Sequence, residues 1–122
     1  MANILVVDDQ PYVGEILAEE FSHEGHRFSG VTDVDSALRH IRDSRTDLVL
    51  LDLCLEGFEG WEALHTIKRE NPDLPVLILS AYDSFAGDPR LSQANGYVVK
   101  SFSNFDMLKQ TIADTLQKKR VP

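Results

Sequence analysis

The chain has 122 residues and a formal charge of −8, enough length for one domain with a real core. Its 43% apolar and 26% charged residues are ordinary for a soluble globular protein, and the acidic balance opposes non-specific nucleic-acid binding, which needs a basic surface. Cys54 is the single cysteine, which excludes a disulfide framework or structural zinc site and points to a reducing cytoplasm.

Met1-Ala2-Asn3 is followed by four apolar residues and then two aspartates. That is too short for a signal peptide, and no stretch approaches a membrane span, so no membrane association is expected. No repeat or linker divides the sequence, and residues 1–122 are expected to form a single domain.

The first apolar run, Ile4-Leu5-Val6-Val7, stops at Asp8-Asp9. A helix is expected from Pro11 to Gly25, with Val13, Ile16, Leu17 and Phe21 on its apolar face. A second strand begins near residue 27, and a second helix opens at Thr32 or Asp33, burying Val34, Ala37, Leu38 and Ile41. Leu48-Val49-Leu50-Leu51 stops at Asp52. The third helix runs from about Gly60 to Glu70, with Trp61, Leu64 and Ile67 inward, until Asn71-Pro72 ends it.

Val76-Leu77-Ile78-Leu79 stops at Ser80. A loop or frayed turn is expected over 81–88, then a short helix over 89–94 with Asp88 as N-cap and Pro89 at its first position. Tyr97-Val98-Val99 stops at Lys100. A last helix is expected from Ser103, with Asp106 as its capping partner and Phe105, Leu108, Ile112 and Leu116 inward. Lys118-Lys119-Arg120 reads as a solvated helix end, too small to reverse the acidic balance.

The four apolar runs have the composition of strands buried on both faces. Alternation with helices argues for an α/β fold of right-handed βαβ units around a parallel sheet. Ligands of such sheets bind beyond the carboxyl ends of the strands, the edge that here receives Asp8, Asp9, Asp52, Ser80 and Lys100.

Each of these residues has a bland alternative: a helix-capping aspartate, a turn serine, an exposed loop lysine. As a set they fit better together. Converging carboxylates repel unless a cation neutralises them, and oxygen-only ligands suit Mg²⁺. A lysine there pairs with a carboxylate and then a phosphoryl oxygen. The combination describes attack of a carboxylate on phosphorus.

The segments ILVVDDQ, TDLVLLDLCLEGFEGWEAL, PVLILSAY and GYVVKSF resemble the receiver domain of two-component response regulators over essentially the whole chain. The resemblance implies a flavodoxin-like doubly wound (βα)5 fold with sheet order 2-1-3-4-5. It implies Asp52 as phosphoacceptor and Mg²⁺ held by Asp8, Asp9, Asp52 and the backbone carbonyl of Cys54. Lys100 and Ser80 would bind phosphoryl oxygens, with Ser80 and Tyr97 as switch residues. Tyr97 also has a plain alternative, a half-buried strand tyrosine that never moves. Ala81 would leave the acceptor open, and Tyr82 would shield the acyl phosphate.

The implied partners are a sensor histidine kinase or histidine phosphotransfer protein and a downstream protein target. Signalling would use the face of the fourth helix, fifth strand and fifth helix, through which some such domains form phosphorylation-dependent homodimers. The domain would catalyse its own phosphorylation and dephosphorylation without turning over an external substrate. Its end at Pro122 leaves a protein contact as the expected output, with two alternatives open: a stand-alone shuttle or modulator, or a fragment of a longer regulator.

Three features depart from the family pattern. Ser101 replaces the usual proline after the lysine, where a cis peptide is costly. Glu56 replaces a proline four residues after the acceptor and adds negative charge near the metal, although Gly57 and Gly60 still permit the turn. The interrupted fourth helix is the third. Two rival readings are a small Mg²⁺-dependent phosphatase, which would want an acid where Cys54 stands, and an unphosphorylated interaction module, against which the acidic set argues.

Overall fold

The computed structural model describes residues 2–10, 12–53, 59–80, 87–99 and 105–120. In chain order the elements are β1 (Asn3–Val7), α1 (Tyr12–Glu20), a 3-10 turn (Ser22–Glu24), β2 (Arg27–Val31), α2 (Val34–Asp43), β3 (Leu48–Asp52) and α3 (Glu59–Glu70). They continue with β4 (Val76–Ser80), a 3-10 helix (Pro89–Gln93), β5 (Gly96–Val99) and α4 (Asp106–Arg120). All strand pairs are parallel, in the order β2-β1-β3-β4-β5. No helix among the described residues is long and apolar enough to cross a membrane.

Side chains alternate across the strands, so each central strand feeds two cores. Ile4, Val6, Leu48, Leu50, Leu77 and Leu79 pack on one side with Val13, Leu17, Phe21, Leu108, Ile112 and Leu116 of α1, its end and α4. Leu5, Val7, Val49, Leu51, Val76 and Ile78 pack on the other with Ala37, Ala63, Leu64 and Ile67 of α2 and α3. Each buried aliphatic side chain contributes roughly 1.5–3 kcal/mol. Continuous apolar runs are what a sheet covered on both faces requires.

Three sequence expectations are corrected. The first α-helix stops at Glu20 rather than running to Gly25. Glu24 N–H donates to Phe21 O at 3.0 Å, tightening the chain into a 3-10 turn that closes on Gly25 at φ 78°. The short helix expected over 89–94 is present as a 3-10 helix, Pro89–Gln93, beside four α-helices among the described residues. Its Asp88 N-cap accepts from Arg90 N–H, and Leu91 and Ala94 bond three residues back, which leaves too few residues for an α-turn ladder. The last helix starts at Asp106 instead of Ser103. Phe105 O accepts the bond from Lys109 N–H, and the Phe105 ring sits edge-on to Phe21 at 6.1 Å, fixing the entry to the helix. Finally, β5 is not buried on both faces: it closes the sheet edge, and Val99 is 44% exposed.

A polar clamp ties the lower end of this layer. Lys68 at the end of α3 donates to Pro72 O, Leu74 O and Asn95 Oδ1 at 3.2, 2.9 and 3.2 Å. Asn95 Oδ1 also accepts Val76 N–H, so α3, β4 and the entry to β5 are fixed to one another. Burial lowers the Lys68 pKa below its usual value, with Asp73 opposing that shift.

Candidate functional site

Register places the acidic residues before any side chain is considered. Val7 pairs with both Val31 and Leu51, so Asp8 and Asp52 follow side by side at the carboxyl edge of β1 and β3. Asp8 N–H extends the ladder to Val31 O at 3.1 Å, and Asp52 ends β3 opposite Leu79. Carboxylate oxygens of Asp8, Asp9 and Asp52 all lie within 4.8 Å of one another. Asp8 and Asp52 are 2% and 4% exposed, whereas Asp9 is open to solvent.

Asp8 combines two readings that the sequence presents as alternatives. Its Oδ1 accepts Gln10 N–H at 2.9 Å, a local turn-capping bond. The same carboxylate stands in the acidic cluster. Buried like charges at this spacing repel, and in low dielectric the cost is substantial. A donor set of oxygen atoms from carboxylates fits a hard cation that retains water ligands. Beside Asp8 lies a cavity of about 50 Å³ lined by Val6, Gln10, Gly14, Gly30, Val31 and Thr32, room for ordered water at the carboxylate.

Ser80 ends β4 opposite Val99 and is fully buried. Tyr97, paired with Ile78, is half-buried against the core on the α2 and α3 side. Lys100, Cys54, Glu56, Ala81, Tyr82 and Ser101, including the question of a cis peptide before Ser101, lie outside the described residues.

Two features of α3 escape sequence reasoning. The Arg90 guanidinium sits 4.0 Å from the centroid of the Trp61 ring and also pairs with Asp88 at 2.7 Å. These hydrogen bonds hold the Asp88 carboxyl down at about 2 and raise the Arg90 pKa. His65 Nδ1 and Gln93 Oε1, 3.3 Å apart, make a second contact between α3 and the 3-10 helix. Residues so distant in sequence carry no joint signal. The other feature is Gly60, buried in the first turn of α3 against the backbone of Leu53. Its signal was a glycine at an inward helical position.

The family described as response regulator receiver domain matches residues 4–113. The probable transcriptional regulatory protein TcrX of Mycobacterium tuberculosis is 38% identical over 102 residues, 82% of this chain and 44% of that protein. The transcriptional regulatory protein ZraR of Klebsiella oxytoca is 36% identical over 121 residues, 98% of this chain and 27% of that protein. The chain thus spans less than half the length of these two relatives. Among solved structures, the response regulator TrrA of Thermotoga maritima, in complex with Mg²⁺-BeF, superposes with a TM-score of 0.85. It is 37% identical, over 93% of this chain and 98% of that one. TrrA in complex with the histidine kinase ThkA superposes with a TM-score of 0.84 at 37% identity, over 93% of this chain and 97% of that one.

Proposed function

The chain belongs to the response regulator receiver domain family, and from that membership we propose that it is a phosphorylation-dependent switch with Asp52 as phosphoacceptor. The observation that carries this reading is the convergence of the Asp8, Asp9 and Asp52 carboxylates at one sheet edge. The donor is the phosphohistidine of a sensor histidine kinase or a histidine phosphotransfer protein, a pairing for which the TrrA–ThkA complex is a precedent. An Asp52 carboxylate oxygen attacks phosphorus in line, the phosphorus–nitrogen bond breaks, and its electron pair returns to the imidazole.

Asp8, Asp9, Asp52 and the backbone carbonyl of Cys54 would hold Mg²⁺. When bound, the metal offsets charge on the phosphoryl oxygens and on the clustered acids. Lys100 and the Ser80 hydroxyl bind phosphoryl oxygens, and burial of Asp52 and Ser80 restricts water. Loss of the phosphoryl group is attack by water at phosphorus, with Asp52 leaving as carboxylate. Ala81 leaves the approach open, Tyr82 shields it, and Glu56 tunes its charge. The domain turns over no external substrate.

Ser80 and Tyr97 relay the change to the face made by the Pro89–Gln93 helix, β5 and α4. Support for that face comes from Val99 and Met107, the two exposed large apolar residues among those described, at 44% and 69% exposure. A downstream protein, or a second phosphorylated copy, binds there. We place the protein in the cytoplasm, with residues 1–122 as one receiver domain that itself makes no direct contact with nucleic acid or membrane.

The test is incubation with Mg²⁺ and acetyl phosphate followed by intact-mass measurement. One added phosphoryl group is expected on the wild type and none on Asp52→Asn. A wild type that gains no phosphate overturns the proposal.

A further inference from the structure

We propose that Gly60 is a positioning residue for the phosphoacceptor, acting through the backbone of Leu53; this rests on the reading of Asp52 as the acceptor. A Cβ at position 60 would collide with the Leu53 carbonyl oxygen and stand 2.6 Å from its Cα and 2.7 Å from its carbonyl carbon. Those are backbone atoms of the residue next to Asp52, so no side-chain rotation relieves the contact. Other glycines differ in kind: at Gly96 the nearest atom is Leu77 Cδ2, a movable side-chain end, and at Gly14 the nearest contact is 3.4 Å.

Which partner yields follows from how each is held. The helix α3 is anchored by Ala63, Leu64 and Ile67, all fully buried in a close-packed core. Leu53 is buried in the same core, but among the described residues its backbone meets the sheet through a long bond, its N–H donating to Leu79 O at 3.4 Å, beyond the usual range. The weaker restraint is on the Leu53 side. An added methyl therefore moves Leu53 and, through one peptide unit, the Asp52 carboxylate relative to Asp8 and Asp9. The absence of a side chain at Gly60 lets α3 press on that backbone and set where the acceptor stands.

Gly60→Ala is compared with Ala63→Gly, which loosens the same helix and adds no atom against the Leu53 backbone. Gly60→Ala is expected to lower the acetyl phosphate labelling rate by up to about 100-fold, the loss that a misplacement of about 1 Å can produce. It should also raise the Mg²⁺ concentration for half-maximal labelling, while retaining helical circular dichroism. Ala63→Gly is expected to label at the wild-type rate despite its lower melting midpoint. Wild-type rate and Mg²⁺ dependence in Gly60→Ala would overturn the proposal, as would equal losses in both variants. Should Gly60→Ala not fold, amide NMR of the wild type decides: Gly60 must shift together with Leu53 on Mg²⁺ addition and labelling, and a static Gly60 beside a shifting Leu53 refutes it. A wild type that takes no phosphate removes the acceptor reading and this inference with it, whereas normal labelling of both wild type and Gly60→Ala removes the inference alone.

Discussion

Asp8 occupies a position where local and long-range demands coincide. Its carboxylate accepts the Gln10 N–H, yet two other carboxylates lie within 4.8 Å. Neutralising it removes repulsion while asparagine's carbonyl can retain the turn bond. Asp8→Asn is expected to raise metal-free stability by on the order of 1 kcal/mol. It should also weaken the stabilisation that Mg²⁺ brings to the wild type, which mass action sets at about 2.7 kcal/mol when the ion is at a hundred times its dissociation constant. Urea denaturation with and without Mg²⁺ checks both. Residue identity at Asp8, Asp9, Asp52 and Ser80 was legible because each ends an apolar run. The double role of Asp8 was not, since capping and clustering draw on the same carboxylate.

Among the elements, the Pro89–Gln93 helix shows how far local chemistry reaches. Asp88 and Pro89 mark its start in the sequence, and the structure starts it there. What holds it to α3 is Arg90 over Trp61, a contact made between elements. Its Asp88 carboxyl titrates at about 2, below the ordinary 3.8, because it accepts from Arg90. A depressed folded-state pKa contributes stability that is complete above the unfolded value and is lost as pH falls through the folded one. The Asp88–Arg90 link is therefore expected to persist at pH 4 and release around pH 2, with carboxyl NMR as the measurement. Asp88→Ala should loosen Arg90 and change Trp61 emission at neutral pH. The Lys68 clamp is the second such junction. Lys68→Met leaves the Pro72 and Leu74 carbonyls and the Asn95 side chain without its ammonium, an expected cost of about 1–3 kcal/mol by urea denaturation.

For the whole molecule, burial separates the central strands from the edge. Leu50 is fully buried between α1, α4 and the neighbouring strands, so Leu50→Ala is expected to cost about 2–5 kcal/mol. Val99, exposed at the end of β5, should tolerate Ser within about 0.5 kcal/mol, and chemical denaturation of both variants measures the contrast. The sequence by itself determined the α/β class, the parallel sheet and the polar residues at its carboxyl edge, because apolar runs and turn residues are local signals of strand burial and strand ends. Only the tertiary structure decided that β5 is half-exposed, that Arg90 reaches Trp61, and that Gly60 rests on Leu53. Those outcomes depend on which surfaces meet once the sheet order is set, and close packing selects them at distances that no sequence pattern encodes.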